Sequence, residues 1–388
     1  MYDKWSLKRS PFYTRAIDRT SIEDFAARKK EAEELKNTLR SREGVAAVIG
    51  ERGVGTTSLA NFCRFNHETA YTPKYEVRAE HFNDGMELLE ALVYIIAHDV
   101  AERKIQSKAA KRILEHYKGK KGDINVSAKV MGVGVSLRSL RGGKTSAPYL
   151  IDELNELIGD ILKKRNYKFA IFQINNLDVH SRNSESIEKI LDFMRDIFHT
   201  RNTVWYLLGD TSLEQRIKHN MSRVSSIIKH WIHVLPMNTN DFYALYMKRI
   251  QNSGPNAVSP FTRDAIDKLS EATMGRPRFS LDVAGRLLDM YAETVFPERI
   301  DKAIVERFAK KEIHTILQID NLPEISIKLV THIAKNPGKT SSELAKSLGI
   351  HLGNLNKYTG PLEEKRLIYI EKKGRSTCHY AFGFGKLL

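Results

Sequence analysis

Val45-Ala46-Ala47-Val48-Ile49-Gly50-Glu51-Arg52-Gly53-Val54-Gly55-Thr56-Thr57-Ser58 is the stretch that decides the fold of this 388-residue chain. Five apolar residues in a row suit a strand covered on both faces, and glycines at 50, 53 and 55 suit a loop whose amides converge. Helical spacing follows, through Phe65. Strand, glycine-rich loop and helix in that order make a phosphate cradle, because loop amides turn inward on the anion and the first helical turn aims its amides at it. A glycine-rich turn with no ligand is the bland alternative, which the loop alone does not exclude.

The elements around this stretch follow an α/β pattern. An irregular arm ends near Asp24, and a helix is predicted from Arg28 to Arg40, closed by Gly44. Helical spacing returns from Gly85 to about Tyr117. Beyond it, apolar residues at 124, 126, 128 and 130 switch parity to 133, 135 and 137 across Met131-Gly132, which predicts a β-hairpin. A helix from Leu150 to Lys164 leads into a strand from Phe169 to Ile174, and another from Ser184 to His199 into a strand from Val204 to Leu208. Such alternation predicts a parallel sheet with helices on both faces. Past Pro236 only helices are expected, at Asn240–Ile250, Thr262–Thr273, Phe279–Thr294 and Arg299–Thr315, and Asp320–Pro323 reads as a linker. The expected domains are therefore a core over 1–236 with a basic insertion at about 101–149, a helical lid over 237–319, and a final domain over 320–388.

Lysine and arginine number 62 against 47 aspartates and glutamates, a formal charge of +15 that favours a polyanionic partner. Nucleic acid is the first candidate and an anionic membrane surface the second. No apolar run approaches the roughly 18 residues of a membrane helix, so no membrane association is expected. Cys63 and Cys378 stand too far apart for a zinc knuckle or a disulfide framework, and Met1 to Pro11 contains no apolar segment of the export type. A reducing, cytoplasmic and nucleoid-associated setting is expected.

Two departures mark the phosphate cradle. Thr57 stands where a hydroxyl would ligate magnesium, but Thr56 occupies the position of the lysine that reaches the β- and γ-phosphates. The strand from Phe169 ends in Asn175-Asn176-Leu177-Asp178, so amides replace the carboxylates that hold magnesium's shell and polarise the attacking water. An amide brings no charge and cannot act as a base. Hydrolysis is expected to be weak or absent, and nucleotide binding is left open.

With these residues in place, the chain resembles a AAA+ P-loop ATPase of the origin-recognition and archaeal-initiator type, with relatives in mobile elements. The resemblance runs in order through nearly the whole chain, on loose motifs. Trp5 to Phe12, then Phe25, Arg28 and Glu31, are similar to the arm and the F-x-x-R-x-x-E helix before the loop. The resemblance implies ATP or ADP with Mg2+ on Gly50, Gly53, Gly55, Thr56, Thr57 and Ser58, with Thr57 on the metal. It places Asp210 at a polar sensor and Arg223 at the arginine that enters a neighbour's site, although Arg223 reads equally as a surface residue. Gly275-Arg276-Pro277-Arg278-Phe279-Ser280-Leu281 resembles the lid's second sensor, with Arg278 toward the γ-phosphate. Asn175 and Asn176 take the acidic pair's place without its chemistry, and a neighbour's residues or Asp178 are the alternative means of completing the site.

The tail carries the DNA-binding expectation. Helices over Ile325–Ala334, Ser341–Leu348 and Leu352–Lys365, then strands over Leu367–Glu371 and Thr377–Phe382 around Lys372-Lys373-Gly374-Arg375-Ser376, make a winged helix. In that geometry the third helix enters the major groove, so His351, Asn354, Asn356 and Lys357 are expected on DNA, with Lys372, Lys373 and Arg375 on phosphates. A winged helix serving protein contacts is the bland alternative. Residues 101–149 hold twelve basic side chains against three acidic ones, and Lys120, Lys121, Lys129 and Arg138 lie on or beside the expected hairpin as a second DNA contact. The function expected is a double-stranded-DNA-binding assembly or recruitment factor. It would act as a homo-oligomer or with other DNA-processing proteins, in replication initiation, transposition or mobile-element defence. An active ATPase assembling on DNA and a protein-only adaptor are the alternatives.

Overall fold

The computed structural model describes residues 2–118, 146–177, 184–319, 323–373 and 376–387. The chain divides into two compact units: Ala16–Ile22 with Arg28–Leu235, and Met1–Arg15, Glu23–Ala27 and Pro236–Leu388.

The first unit contains, in order, α1 (Lys29–Asn37), β1 (Gly44–Ile49), α2 (Thr56–Phe65), β2 (Ala70–Tyr71), β3 (Val77–Arg78), α3 (Gly85–Glu102), α4 (Lys108–Lys118), α5 (Ala147–Arg165), β4 (Phe169–Asn175), α6 (Ser184–Met194), β5 (Thr203–Gly209), α7 (Thr211–Asn220), α8 (Ser222–Ile227) and β6 (Ile228–His233). The predicted sheet forms, in the order β2-β4-β5-β1-β6, with β3 also on β4 and every pairing parallel. β1 is central because its residues are apolar on both faces, and Ala46, Ala47 and Val48 are fully buried. Ala47, Ile49, Phe172, Trp205 and Leu207 join the core formed with α3 to α6, while α2 packs against β1, β4 and β5.

Several details differ from the sequence pattern, among them the short strands β2 and β3, which it does not show, and the end of α1 at Asn37. The Gly85–Tyr117 pattern forms two helices, because Lys104 takes a left-handed φ of 56° and Arg103 is held back by Asp99 at 2.8 Å. The Ser184–His199 pattern ends early, with a separate 3-10 turn at Ile197–His199. β6 was not anticipated: Lys229, His230 and His233 are exposed on this edge strand and interrupt its apolar pattern. The hairpin expected over 124–137 lies outside the described residues.

The second unit contains α9 (Thr239–Asn252), α10 (Arg263–Ala272), α11 (Pro277–Tyr291), α12 (Lys302–Ile319), α13 (Glu324–Lys335), β7 (Lys339–Thr340), α14 (Ser341–Leu348), α15 (Leu352–Glu364), β8 (Ile368–Lys373) and β9 (Ser376–Ala381). The N-terminal arm belongs here. Trp5, Leu7 and Phe12 are buried with Phe242, Tyr246 and Leu287, and the Trp5 indole donates to the Glu298 carbonyl at 2.8 Å. The helical lid and the C-terminal domain also pack together. Phe279 meets Phe382 edge-on with centroids 5.2 Å apart, and the Arg276 guanidinium lies 5.6 Å from the Tyr369 ring centre and 5.2 Å from that of Phe382. Within the C-terminal domain, α14 opens with a Thr340–Glu343 capping box and closes at Gly349, whose φ of 65° favours glycine. Leu329, Leu344, Leu355, Leu362 and Ile368 form its core.

Candidate nucleotide and nucleic-acid sites

The loop after β1 has the geometry its glycines suggest. A Cβ at Gly50 would lie 2.7 Å from the Val234 carbonyl oxygen, while Gly53 and Gly55 have φ of 92° and 104°. These are conformations that side chains resist. Gly55, the N-cap of α2, has no side chain with which to cap the first-turn amides of Thr56, Thr57 and Ser58. Ser58 Oγ instead accepts from the Ile17 amide at 3.3 Å. The loop is buttressed by Arg28, a 7 % exposed residue at the start of α1. Its guanidinium donates to the Val54 carbonyl at 2.9 Å and pairs with Glu31 at 2.8 Å. This gives the F-x-x-R-x-x-E spacing a physical purpose in this chain.

The end of β4 carries a polar network in which Gln173 Oε1 is buried without a hydrogen-bond partner. Asn175 is buried, its Oδ1 accepts from Gln173 at 2.8 Å, and its Nδ2 donates to Glu76 Oε2 at 2.8 Å. Glu76 Oε1 accepts from Asn61 at 2.6 Å and lies 3.5 Å from Arg64. Arg64 is fully enclosed and also donates to Asn61 Oδ1, Thr72 Oγ1 and the Pro73 carbonyl, at 2.9, 3.2 and 3.0 Å. Burial lowers its guanidinium to about 10, against the opposing pull of Glu76. Asn176 follows at a left-handed φ of 56°, and Asp178 lies outside the described residues. Among the described residues no group of three His, Cys, Asp or Glu side chains converges on a metal position. The loop and helix therefore fit a phosphate, but the described end of β4 offers magnesium no carboxylate of its own: Asn175 is an uncharged amide bonded to Gln173 and Glu76.

The other candidate residues are distributed as follows. Asp210 caps α7, with its carboxylate accepting from the Ser212 and Leu213 amides at 2.9 and 3.2 Å. Arg223 is exposed in the first turn of α8. Arg278 is exposed in the first turn of α11, in the second unit, after Gly275, where a Cβ would meet the Met237 carbonyl oxygen at 2.2 Å.

On the C-terminal domain, α15 exposes Asn354, Asn356 and Lys357, while Leu355 and Thr359 face inward. His351 is the N-cap and accepts from the Gly353 amide at 3.2 Å. Leu352, 51 % exposed, is a surface residue the sequence pattern missed. Its spacing of three from Leu355 suggests a core position, but the first turn extends past the core. Lys372 and Lys373 lie at the end of β8, and Arg375 is outside the described residues, as are Lys120, Lys121, Lys129 and Arg138.

A family model described as winged helix-turn-helix DNA-binding matches residues 322–369. The Walker-type ATPase of Pyrococcus abyssi is similar in structure, with a TM-score of 0.53 at 14% identity, over 97% of this chain and 99% of that one. The ORC1 protein of Aeropyrum pernix, solved in complex with DNA, has a TM-score of 0.50 at 13% identity, over 98% of this chain and 93% of that one. The chain has the AAA+ fold. This fold is shared with those two proteins, as the sequence resemblance implied, and a winged helix-turn-helix domain follows it. No curated protein matches the chain. No described helix is long and apolar enough to cross a membrane.

Proposed function

We propose that this protein binds double-stranded DNA through its winged helix and serves as an initiator-type assembly or recruitment factor, with its AAA+ core as a scaffold rather than a motor. The observation that carries this reading is α15, whose first turns expose Asn354, Asn356 and Lys357 while its later turns carry Glu363 and Glu364. Recognition helices approach base edges with their N-terminal residues, and here those residues are exposed, polar and basic. The overall charge of +15 supports a polyanionic partner. The DNA-bound neighbour of the same fold adds to this reading.

In this proposal Lys357 contacts phosphate, Asn356 reads a base edge, and Lys372, Lys373 and Arg375 follow the adjacent backbone. Lys120, Lys121, Lys129 and Arg138 form a second contact along the duplex. The glycine loop holds ATP or ADP weakly, with Gly50, Gly53, Gly55, Thr56, Thr57 and Ser58 around the phosphates. Asp210 and Arg278 report its presence, and Arg223 meets a second subunit. The working domains are the nucleotide-binding core up to 236, the lid over 237–319 with the N-terminal arm packed on it, and the winged helix over 320–388, in a cytoplasmic, nucleoid-associated protein acting in replication initiation, transposition or mobile-element defence.

Duplex-binding titrations of the full chain against Lys357→Ala and Asn356→Ala test the proposal. Lys357→Ala should weaken all sequences alike and reduce the salt slope by about one, whereas Asn356→Ala should lose about 1–3 kcal/mol of preference at one position. Affinity and salt slope unchanged in both variants would favour a protein-only adaptor. ATP turnover well above background, abolished by Thr57→Ala, would favour an active ATPase.

A further inference from the structure

We propose that the negative charge missing from the end of β4 resides on Glu76, where it serves the fold, and that the glycine loop binds nucleotide without magnesium. The second clause rests on the nucleotide reading of the loop. A carboxylate only accepts hydrogen bonds, so Asn175 must turn its amide nitrogen to Glu76. Its oxygen then accepts from Gln173, and the amide brings no charge to hold a hydrated cation.

Glu76 is committed from the other side as well. Arg64 is 1 % exposed, and a guanidinium at that depth needs a counter-ion. The Glu76 carboxylate is within ion-pair distance of it at 3.5 Å. Asn61 bridges the two, donating to Glu76 and accepting from Arg64. It stands one helical turn beyond Thr57 on α2, so the network lies directly beneath the phosphate end of that helix. An aspartate at 175 would place a second carboxylate against Glu76 at the 2.8 Å now spanned by a hydrogen bond. That repulsion explains why the amide stands there. Magnesium favours carboxylate oxygens, and the carboxylate in this network is already paired with Arg64.

The test uses full-length protein and three variants: Asn175→Asp, Glu76→Gln, and both together. Thermal unfolding is measured for each, and the affinity of fluorescent ADP and ATP is measured with magnesium and with a chelator. Each single variant should melt below the parent, and the double should melt above the level expected from adding the two losses. The parent's nucleotide affinity should be the same with magnesium as with chelator. The proposal is overturned if Asn175→Asp melts no lower than the parent. It is also overturned if magnesium tightens the parent's nucleotide binding by about tenfold. Failure of all proteins to bind nucleotide under either condition would refute the nucleotide reading of the loop and the metal clause with it, and the melting series would still decide the role of Glu76.

Discussion

Arg28 offers a direct test of how the phosphate loop is held, because its side chain and its backbone push stability in opposite directions. The side chain donates a charge-assisted hydrogen bond to the buried Val54 carbonyl at 2.9 Å and an ion pair to Glu31 at 2.8 Å. A hydrogen bond from a charged group contributes about 1.5–3 kcal/mol, and the partly exposed pair adds about 0.2–1 kcal/mol. The backbone opposes this, since Arg28 sits at φ 59°, a left-handed conformation that costs a residue with a Cβ about 1–2 kcal/mol. Arg28→Ala keeps that strain and loses the contacts, so it should cost about 2–3 kcal/mol, or about 4–12 °C in melting temperature for a unit of this size. Arg28→Gly loses the same contacts but relieves the strain. It should melt about 2–8 °C above Arg28→Ala. Differential scanning fluorimetry on both variants gives the comparison. Equal melting temperatures would refute the strain argument, and no loss in Arg28→Ala would refute the buttress.

Other outcomes follow from the same structure. Phe382→Ala removes a buried ring that contacts Phe279 and Arg276; it should cost about 3–5 kcal/mol and speed amide exchange in α11 and α13 to α15, with exchange in the β1 to β6 sheet unchanged. Burial pushes the Cys63 thiol from 9.0 up to about 12. The folded thiol stays protonated where the unfolded one ionises, so stability should fall as pH rises from about 9 toward 12, with a slope of up to about 1.4 kcal/mol per pH unit from this group. Urea titrations of parent and Cys63→Ala across that range should show the shallower slope in the variant. Gly50→Ala, whose methyl would meet the immobile Val234 carbonyl, should cost about 1–3 kcal/mol, read as a lower denaturation midpoint.

Much of the fold was legible because its central strands are buried on both faces. Val45–Ile49, Phe169–Ile174 and Val204–Leu208 read as continuous apolar runs, and the helices between them dictate parallel pairing. The glycine loop was legible because its conformation depends on residue type. What escaped the sequence depends on distant contacts. Glu76 meets Asn175 across 99 positions, so the amides at the end of β4 read only as lost catalytic groups and not as half of a network. β6 escaped because an edge strand tolerates lysine and histidine on its open side. The arm around Trp5 precedes the sheet in sequence but is buried among the lid helices, a placement that no local pattern encodes.

Duplex DNA binding through the winged helix, with no need of ATP turnover, is the proposal on which the others rest. The most direct measurement is a titration of the full-length chain into duplex DNA at two salt concentrations, with and without ATP and magnesium, while following particle size. The account predicts affinity that falls steeply with salt and persists without nucleotide. Binding that is absent, insensitive to salt, or seen only while ATP is being hydrolysed would contradict it.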